Sequence, residues 1–104
     1  MNLNFYRTMI EYNDEIKQNI SVAAYFLAQK AFTYDQLCWM FAERQLYLQN
    51  NFQKPDENSI REYAKNISLS KPSYDVLCWL ISEIDFLLKI NKFKGNKKPS
   101  FILP

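Results

Sequence analysis

Two ten-residue stretches of this chain share six identical positions: YDQLCWMFAE at residues 34–43 and YDVLCWLISE at residues 74–83. Each contains a Cys–Trp pair and a Glu four residues after the Trp. The offset between them is 74 − 34 = 40 residues, and the same offset pairs Ile20 with Ile60. A period of about 40 residues suits a unit of two helices, and two copies are too few for a solenoid. We therefore expect one bundle with an internal repeat of about 40 residues.

The composition favours helices and a single domain. The chain has 104 residues, of which 48% are hydrophobic and 16% aromatic, which excludes a disordered segment. A single Gly and four Pro are too few for the turns of an all-β fold or for a Gly-rich phosphate loop. The fold class predicted is all-α, a compact four-helix bundle built from two related helical hairpins. Residues 1–90 form the predicted helical domain, and residues 91–104 form a basic C-terminal tail.

Helix start signals precede both copies of the repeated stretch. Thr33 can cap a helix, with Gln36 three residues later as its capping-box partner. Ser73 can cap the second copy, and Pro72 before it discourages the preceding helix from continuing.

Apolar residues upstream recur at steps of three and four, which predicts a long first helix over about residues 3–30. A break at Asn13–Asp14 is the alternative, with Asp14 as the cap of a second helix. A shorter helix is predicted over about residues 57–67. The stripe of the first helix consists of Phe5, Met9, Tyr12, Ile16, Ile20, Ala23 and Leu27.

The charge is unevenly distributed along the chain. The net charge is +2, but residues 89–104 contain five Lys and no acidic residue. The rest has 13 − 5 = 8 basic and 11 acidic residues, or −3. An acidic body with a basic tail is therefore expected.

Compartment and membrane signals are few. Residues 1–12 contain no apolar core of a secretory signal, and the two Cys do not form a secreted disulfide pattern. The longest uncharged stretch, residues 18–29, is shorter than the ~20 apolar residues that cross a bilayer. These observations predict a soluble cytoplasmic protein that has no membrane partner.

Catalytic and metal-binding signals are weak. The chain contains no His, which removes Ser–His and Cys–His pairs and most zinc sites. Cys38 and Cys78 lie among apolar residues, which predicts inert core thiols rather than nucleophiles. We therefore predict that the chain is not an enzyme and has no catalytic residues, metal site or cofactor. A small enzyme that uses Glu43 and Glu83 is the weaker alternative.

A nucleic-acid-binding regulator, possibly dimeric, is the main alternative function. The stretch YAKNISLSKPSYDVLC at residues 63–78 loosely fits a helix-turn-helix, but Asp75 and Trp79 suit protein contact better than phosphate. The strongest basic cluster lies in the tail. The nucleic-acid residues of this alternative are Lys92, Lys94, Lys97 and Lys98.

Binding of another protein is the function that the sequence favours. The chain has more aromatic residues than the core stripes can bury, and Tyr and Trp are frequent in binding hot spots. Within that class we expect an immunity protein or other inhibitor of a toxin or host enzyme, since an acidic body could cover a basic nuclease site. A homodimer is also possible. The protein-binding residues predicted are Asp35, Glu43, Tyr47, Asp75 and Glu83.

Overall fold

The protein is a bundle of four α-helices, as seen in a computed structural model that describes residues 13–93. No β-strand occurs within that range. The all-α four-helix bundle predicted from the sequence is thereby confirmed. The internal repeat stays a prediction. The helices are α1 (Asp14–Gln29), α2 (Tyr34–Gln49), α3 (Glu57–Ser70) and α4 (Tyr74–Phe93).

Helix α1 begins at Asp14 because Asn13 caps it. The backbone of Asn13 is extended (φ −80°, ψ 175°), and its side-chain oxygen accepts a 2.8 Å hydrogen bond from the amide of Ile16. The prediction of one uninterrupted helix over residues 3–30 is therefore wrong at residue 13. The start of α1 falls at the alternative position, Asn13–Asp14, with Asn13 rather than Asp14 as the cap. The remainder of that prediction, residues 3–12, lies outside the described residues.

Helices α2 and α4 start at the predicted side-chain caps, whereas the cap of α3 was not predicted. Thr33 and Gln36 form a reciprocal capping box, with N–H to side-chain oxygen distances of 3.0 and 2.8 Å. Ser73 accepts a hydrogen bond from the amide of Val76 at the start of α4. Helix α3 starts after Asp56 and runs to Ser70, three residues beyond the predicted end.

Helices α2 and α4 form the centre of the bundle. They pack against each other, α1 packs against α4, and α3 packs against α2. Helix α1 does not pack against α2, and α3 does not pack against α4. Within each predicted two-helix unit, the consecutive helices are therefore separated, and each outer helix lies on the central helix of the other unit.

The directions of the helices follow from contacts at their starts. The hydroxyl of Tyr34 donates to the carbonyl of Pro72, and the hydroxyl of Tyr74 donates to the carbonyl of Phe32. These bonds join the starts of α2 and α4, and further along Arg44 of α2 reaches Asp85 of α4. The two central helices therefore run in the same direction. Each outer helix is antiparallel to the central helix on which it packs.

The core lies mainly between α2 and α4, which agrees with the apolar character of α4 in the sequence. Helix α1 contributes one buried residue, Ile20, whereas α3 contributes three. Removing these apolar side chains from water is the main favourable term in folding. The fully buried large side chains include Phe41, Leu37, Ile67, Leu77, Leu80, Ile81 and Ile84.

The turns contain residues in the left-handed backbone region, although none of them is Gly. Ala31 (φ 55°) lies two residues after the end of α1, and Lys71 (φ 56°) directly follows α3. Asn51 (φ 55°) and Phe52 (φ 65°) follow α2. A side chain with a Cβ costs about 1–2 kcal/mol in this conformation, so each turn stores backbone strain.

Candidate protein-binding surface

Asp35 and Asp75, two of the residues predicted to bind a protein, lie at one end of the bundle. Each is exposed in the first turn of its helix. The tyrosine hydrogen bonds between the starts of α2 and α4 bring these two turns to the same end. A carboxylate in the first turn also interacts favourably with the helix dipole, so each Asp has a role in helix stability without any partner.

Glu43, Tyr47 and Glu83 do not join the two aspartates in one exposed patch. Glu43 is half-buried on α2, and Glu83 is completely buried in α4. Tyr47 is half-buried, and its ring stacks on Phe52 with ring centroids 5.2 Å apart. The structure therefore encloses the carboxylate of Glu83 within the bundle and gives the ring of Tyr47 an intramolecular partner.

The two cysteines are buried free thiols, as the core interpretation predicted. Burial, and then the nearby Asp35, raises the pKa of Cys38. Burial, and then Asp75, raises the pKa of Cys78. A raised pKa reduces the thiolate, which is the nucleophilic form, so both sites are poorly suited to covalent catalysis.

The paired tryptophans are half-buried and lie at the edge of the core. The guanidinium of Arg61 lies over the ring of Trp39, 5.9 Å from its centroid, within the range of a cation–π contact. Trp39 and Arg61 line a groove of about 300 Å³ between α2 and α3, beside the exposed Leu69. The repeated Cys–Trp segments thus supply packing.

The basic residues of the nucleic-acid alternative lie largely outside the described part. Lys92 belongs to the last turn of α4, but its side chain is outside the described set, as are Lys94, Lys97 and Lys98. Within residues 13–93, α3 and α4 of the helix-turn-helix-like segment do not pack on each other. Asp75 is exposed where a recognition helix would begin.

Helix α1 exposes three large apolar side chains, those of Val22, Tyr25 and Phe26. We call the surface that they form the α1 face. Their exposed fractions are 43%, 61% and 59%. The rings of Tyr25 and Phe26 contact each other edge to face, with centroids 5.5 Å apart. Residues 22, 25 and 26 follow the helical spacing of i, i+3 and i+4, so the three side chains leave α1 on the same side.

The α1 face arises because the core stripe of α1 covers only part of the helix. Ile20 is buried and Leu27 is partly buried against the core, on the side of α1 that faces α4. At 100° per residue, Val22 and Tyr25 point away from that side. No charged residue occurs between Lys17 and Lys30, so the α1 face lies in an uncharged stretch of about three helical turns.

The sequence predictions missed Val22 and Phe26, and they counted Tyr25 only as one of several surplus aromatics. The signal that identifies them is a combination of two features. The stretch of residues 18–29 has no charge, and these three apolar residues fall off the stripe of Ile20 and Leu27. An uncharged helical stretch with apolar residues on both sides is expected to pack against a neighbour on each side.

No metal site or membrane span is evident in the described part. Among residues 13–93, no three Cys, Asp or Glu side chains are grouped so as to hold a metal ion. No helix in that range has both the length and the apolar character needed to cross a bilayer. Comparisons with protein family models, with curated proteins and with solved structures find no match to this chain.

Proposed function

We propose that this chain is a non-catalytic module that binds another protein through the α1 face. The observation that supports this function is the exposure of Tyr25 and Phe26 on an uncharged helix surface. Interface centres are depleted in charge and enriched in aromatic residues, and an exposed apolar patch of this kind marks binding sites. Covering the exposed part of each ring would contribute about 1–2 kcal/mol.

Within this class, we favour an immunity protein or inhibitor that neutralises a toxin or host enzyme by stoichiometric binding. Its support is the small size of the chain, the lack of His, and the acidic balance of residues 1–88. The exposed carboxylates of Asp35 and Asp75 could add electrostatic attraction to a basic enzyme surface, which increases the rate of association.

The test of binding is capture of a partner with the full chain as bait. The tagged chain is used on a lysate of the organism that encodes it, beside the double variant Val22→Ser, Tyr25→Ser. We expect one dominant protein at a one-to-one ratio with the unaltered chain and its loss with the variant. The matched control is Leu69→Ser, because Leu69 is 67% exposed but belongs to α3.

The test of inhibition uses the captured protein. Its enzymatic or growth-inhibitory activity should disappear when one molar equivalent of the chain is added, and it should return with the double variant. Equal capture by the double variant would contradict a role for the α1 face. Recovery of only the chain itself would contradict the inhibitor hypothesis and favour a homodimer. A shift of DNA or RNA in a low-salt gel would favour the nucleic-acid-binding regulator.

A further inference from the structure

A groove of about 520 Å³ lies beside the α1 face, between α1 and α4. On α1 it extends from Asn19 to Lys30, which is a length of about 16 Å at 1.5 Å per residue. That length corresponds to about three turns of a helix. The apolar side chains that line it are Ile20, Ala23, Phe26, Leu27 and Phe86.

Among residues 13–93, the charges at this groove that lack an ion-pair partner are positive. Lys30 and Lys89 both line it, both are exposed, and neither forms an ion pair with a residue in the range 13–93. The carboxylate of Asp85 also lines the groove, but Arg44 donates to it from Nε at 2.8 Å. Within the described part of the chain, the two lysine charges have no acidic partner and could pair with an acidic group of a bound molecule.

We propose that the α1–α4 groove binds an amphipathic helix of the partner protein, with an apolar stripe flanked by acidic side chains. This inference rests on the proposed function and specifies the partner's chemistry. A third helix fits because the groove is formed by two antiparallel helices, and a small residue, Ala23, allows close approach. Residues 13–93 contain no sheet edge to which an extended peptide could add.

The two lysines define the charge preference of the groove. Acidic side chains on the flanks of the bound helix would pair with Lys30 and Lys89 while its apolar stripe covers Phe26 and Phe86. Complementary charge at a rim sets register and excludes partners of the wrong sign, even where each exposed pair contributes less than about 1 kcal/mol.

The experiment compares two dye-labelled peptides of about 14 residues, each long enough for almost four helical turns. Both have Leu at i, i+3, i+4 and i+7, and the flanking positions are Glu in one peptide and Lys in the other. Binding to the full chain is followed by fluorescence anisotropy. We expect the Glu peptide to bind about tenfold tighter or more, which corresponds to about 1.4 kcal/mol.

Charge reversal at the groove provides the decisive comparison. Lys30→Glu with Lys89→Glu should invert the preference, so that the Lys peptide binds more tightly. Lys54→Glu with Lys71→Glu has the same change in net charge at exposed sites outside the groove, and should leave the preference intact. Equal affinity for both peptides, or no binding of either, would overturn the inference. So would a concentration-dependent dimer that the groove reversal dissociates, because a second copy would then be the occupant.

Failure of this inference can be separated from failure of the proposed function. Capture of the partner through the α1 face depends on Val22 and Tyr25, which do not line the groove. One separating result is that capture is lost with Val22→Ser and Tyr25→Ser but unchanged when the charges of Lys30 and Lys89 are reversed. That result would retain the protein-binding function and exclude the acidic helix as the occupant of the groove.

Discussion

Tyr34 and Tyr74 form reciprocal hydrogen bonds across the centre of the bundle. Each hydroxyl donates to a backbone carbonyl just before the other helix, Tyr34 to Pro72 and Tyr74 to Phe32, both at 2.5 Å. The donors are 40 residues apart, and so are the acceptors. The two bonds therefore fasten the turn before each central helix to the first residue of the other one.

Tyr34→Phe and Tyr74→Phe should each destabilise the fold by about 1–2 kcal/mol. Each substitution removes one hydrogen bond and leaves a partly buried carbonyl without its donor. The reciprocal geometry predicts similar losses at the two sites, measured by urea denaturation. Tyr25→Phe is the control, because Tyr25 is largely exposed and should change the free energy of unfolding by less than about 0.5 kcal/mol. Equal effects of all three substitutions would contradict the role of these bonds.

Lys71→Gly and Ala31→Gly should each stabilise the protein by about 0.5–1 kcal/mol. Both residues have a positive φ, where Gly avoids the clash of the Cβ, and part of that gain is offset by the greater freedom of Gly in the unfolded chain. Thermal unfolding provides the measurement. Lys65→Gly is the matched control, since this exposed Lys lies inside α3 and should lose about 1 kcal/mol. A loss at residues 31 and 71 would show that those turns are not strained.

Asp56→Asn should reduce the acid sensitivity of the fold while keeping the cap of α3. The hydrogen bonds from Ser59 lower the pKa of Asp56 below its usual value of 3.8. Its contribution is therefore complete above pH 3.8 and is lost as the pH falls through the lower pKa of the folded state. Asn caps equally well but does not titrate.

The measurement for Asp56 is urea denaturation at pH 7 and near pH 2. The variant should match the unaltered protein at pH 7 and lose less stability on acidification. Identical losses in the two proteins would mean that Asp56 does not contribute to the pH dependence.

Cys38 and Cys78 should not react with a thiol reagent while the protein is folded. Burial raises the pKa of both thiols and also blocks access to them, so reaction should follow unfolding. A chromogenic disulfide reagent at pH 8 should label both only when urea is added. Leu69→Cys, which places a thiol at an exposed site, should react at once and serves as the positive control.

Much of the fold could be predicted because its signals are local. The capping box of Thr33 and the cap at Ser73 each lie within a few residues of the helix start that they determine. The start of α1 was ambiguous because both Asn13 and Asp14 are good caps, and the apolar periodicity continues through them.

The pairing of the helices and the candidate surface were harder to predict. Short links favour packing between consecutive helices, but α1 packs on α4, which depends on contacts far apart in the sequence. The repeated motif drew the predicted binding residues to α2 and α4, where Glu83 proved to be buried. Which aromatic residues are left exposed depends on how much of α1 a neighbour covers, and a single sequence does not contain that information.

The placement of α1 on α4 has a consequence for synthesis. Helix α1 is synthesised before its packing partner α4, so α2, α3 and α4 must all emerge from the ribosome before the apolar side of α1 is covered. Joining segments so distant along the chain slows folding relative to a bundle of neighbouring hairpins. Until α4 has emerged, the uncovered apolar side of α1 is therefore a surface that chaperones could bind.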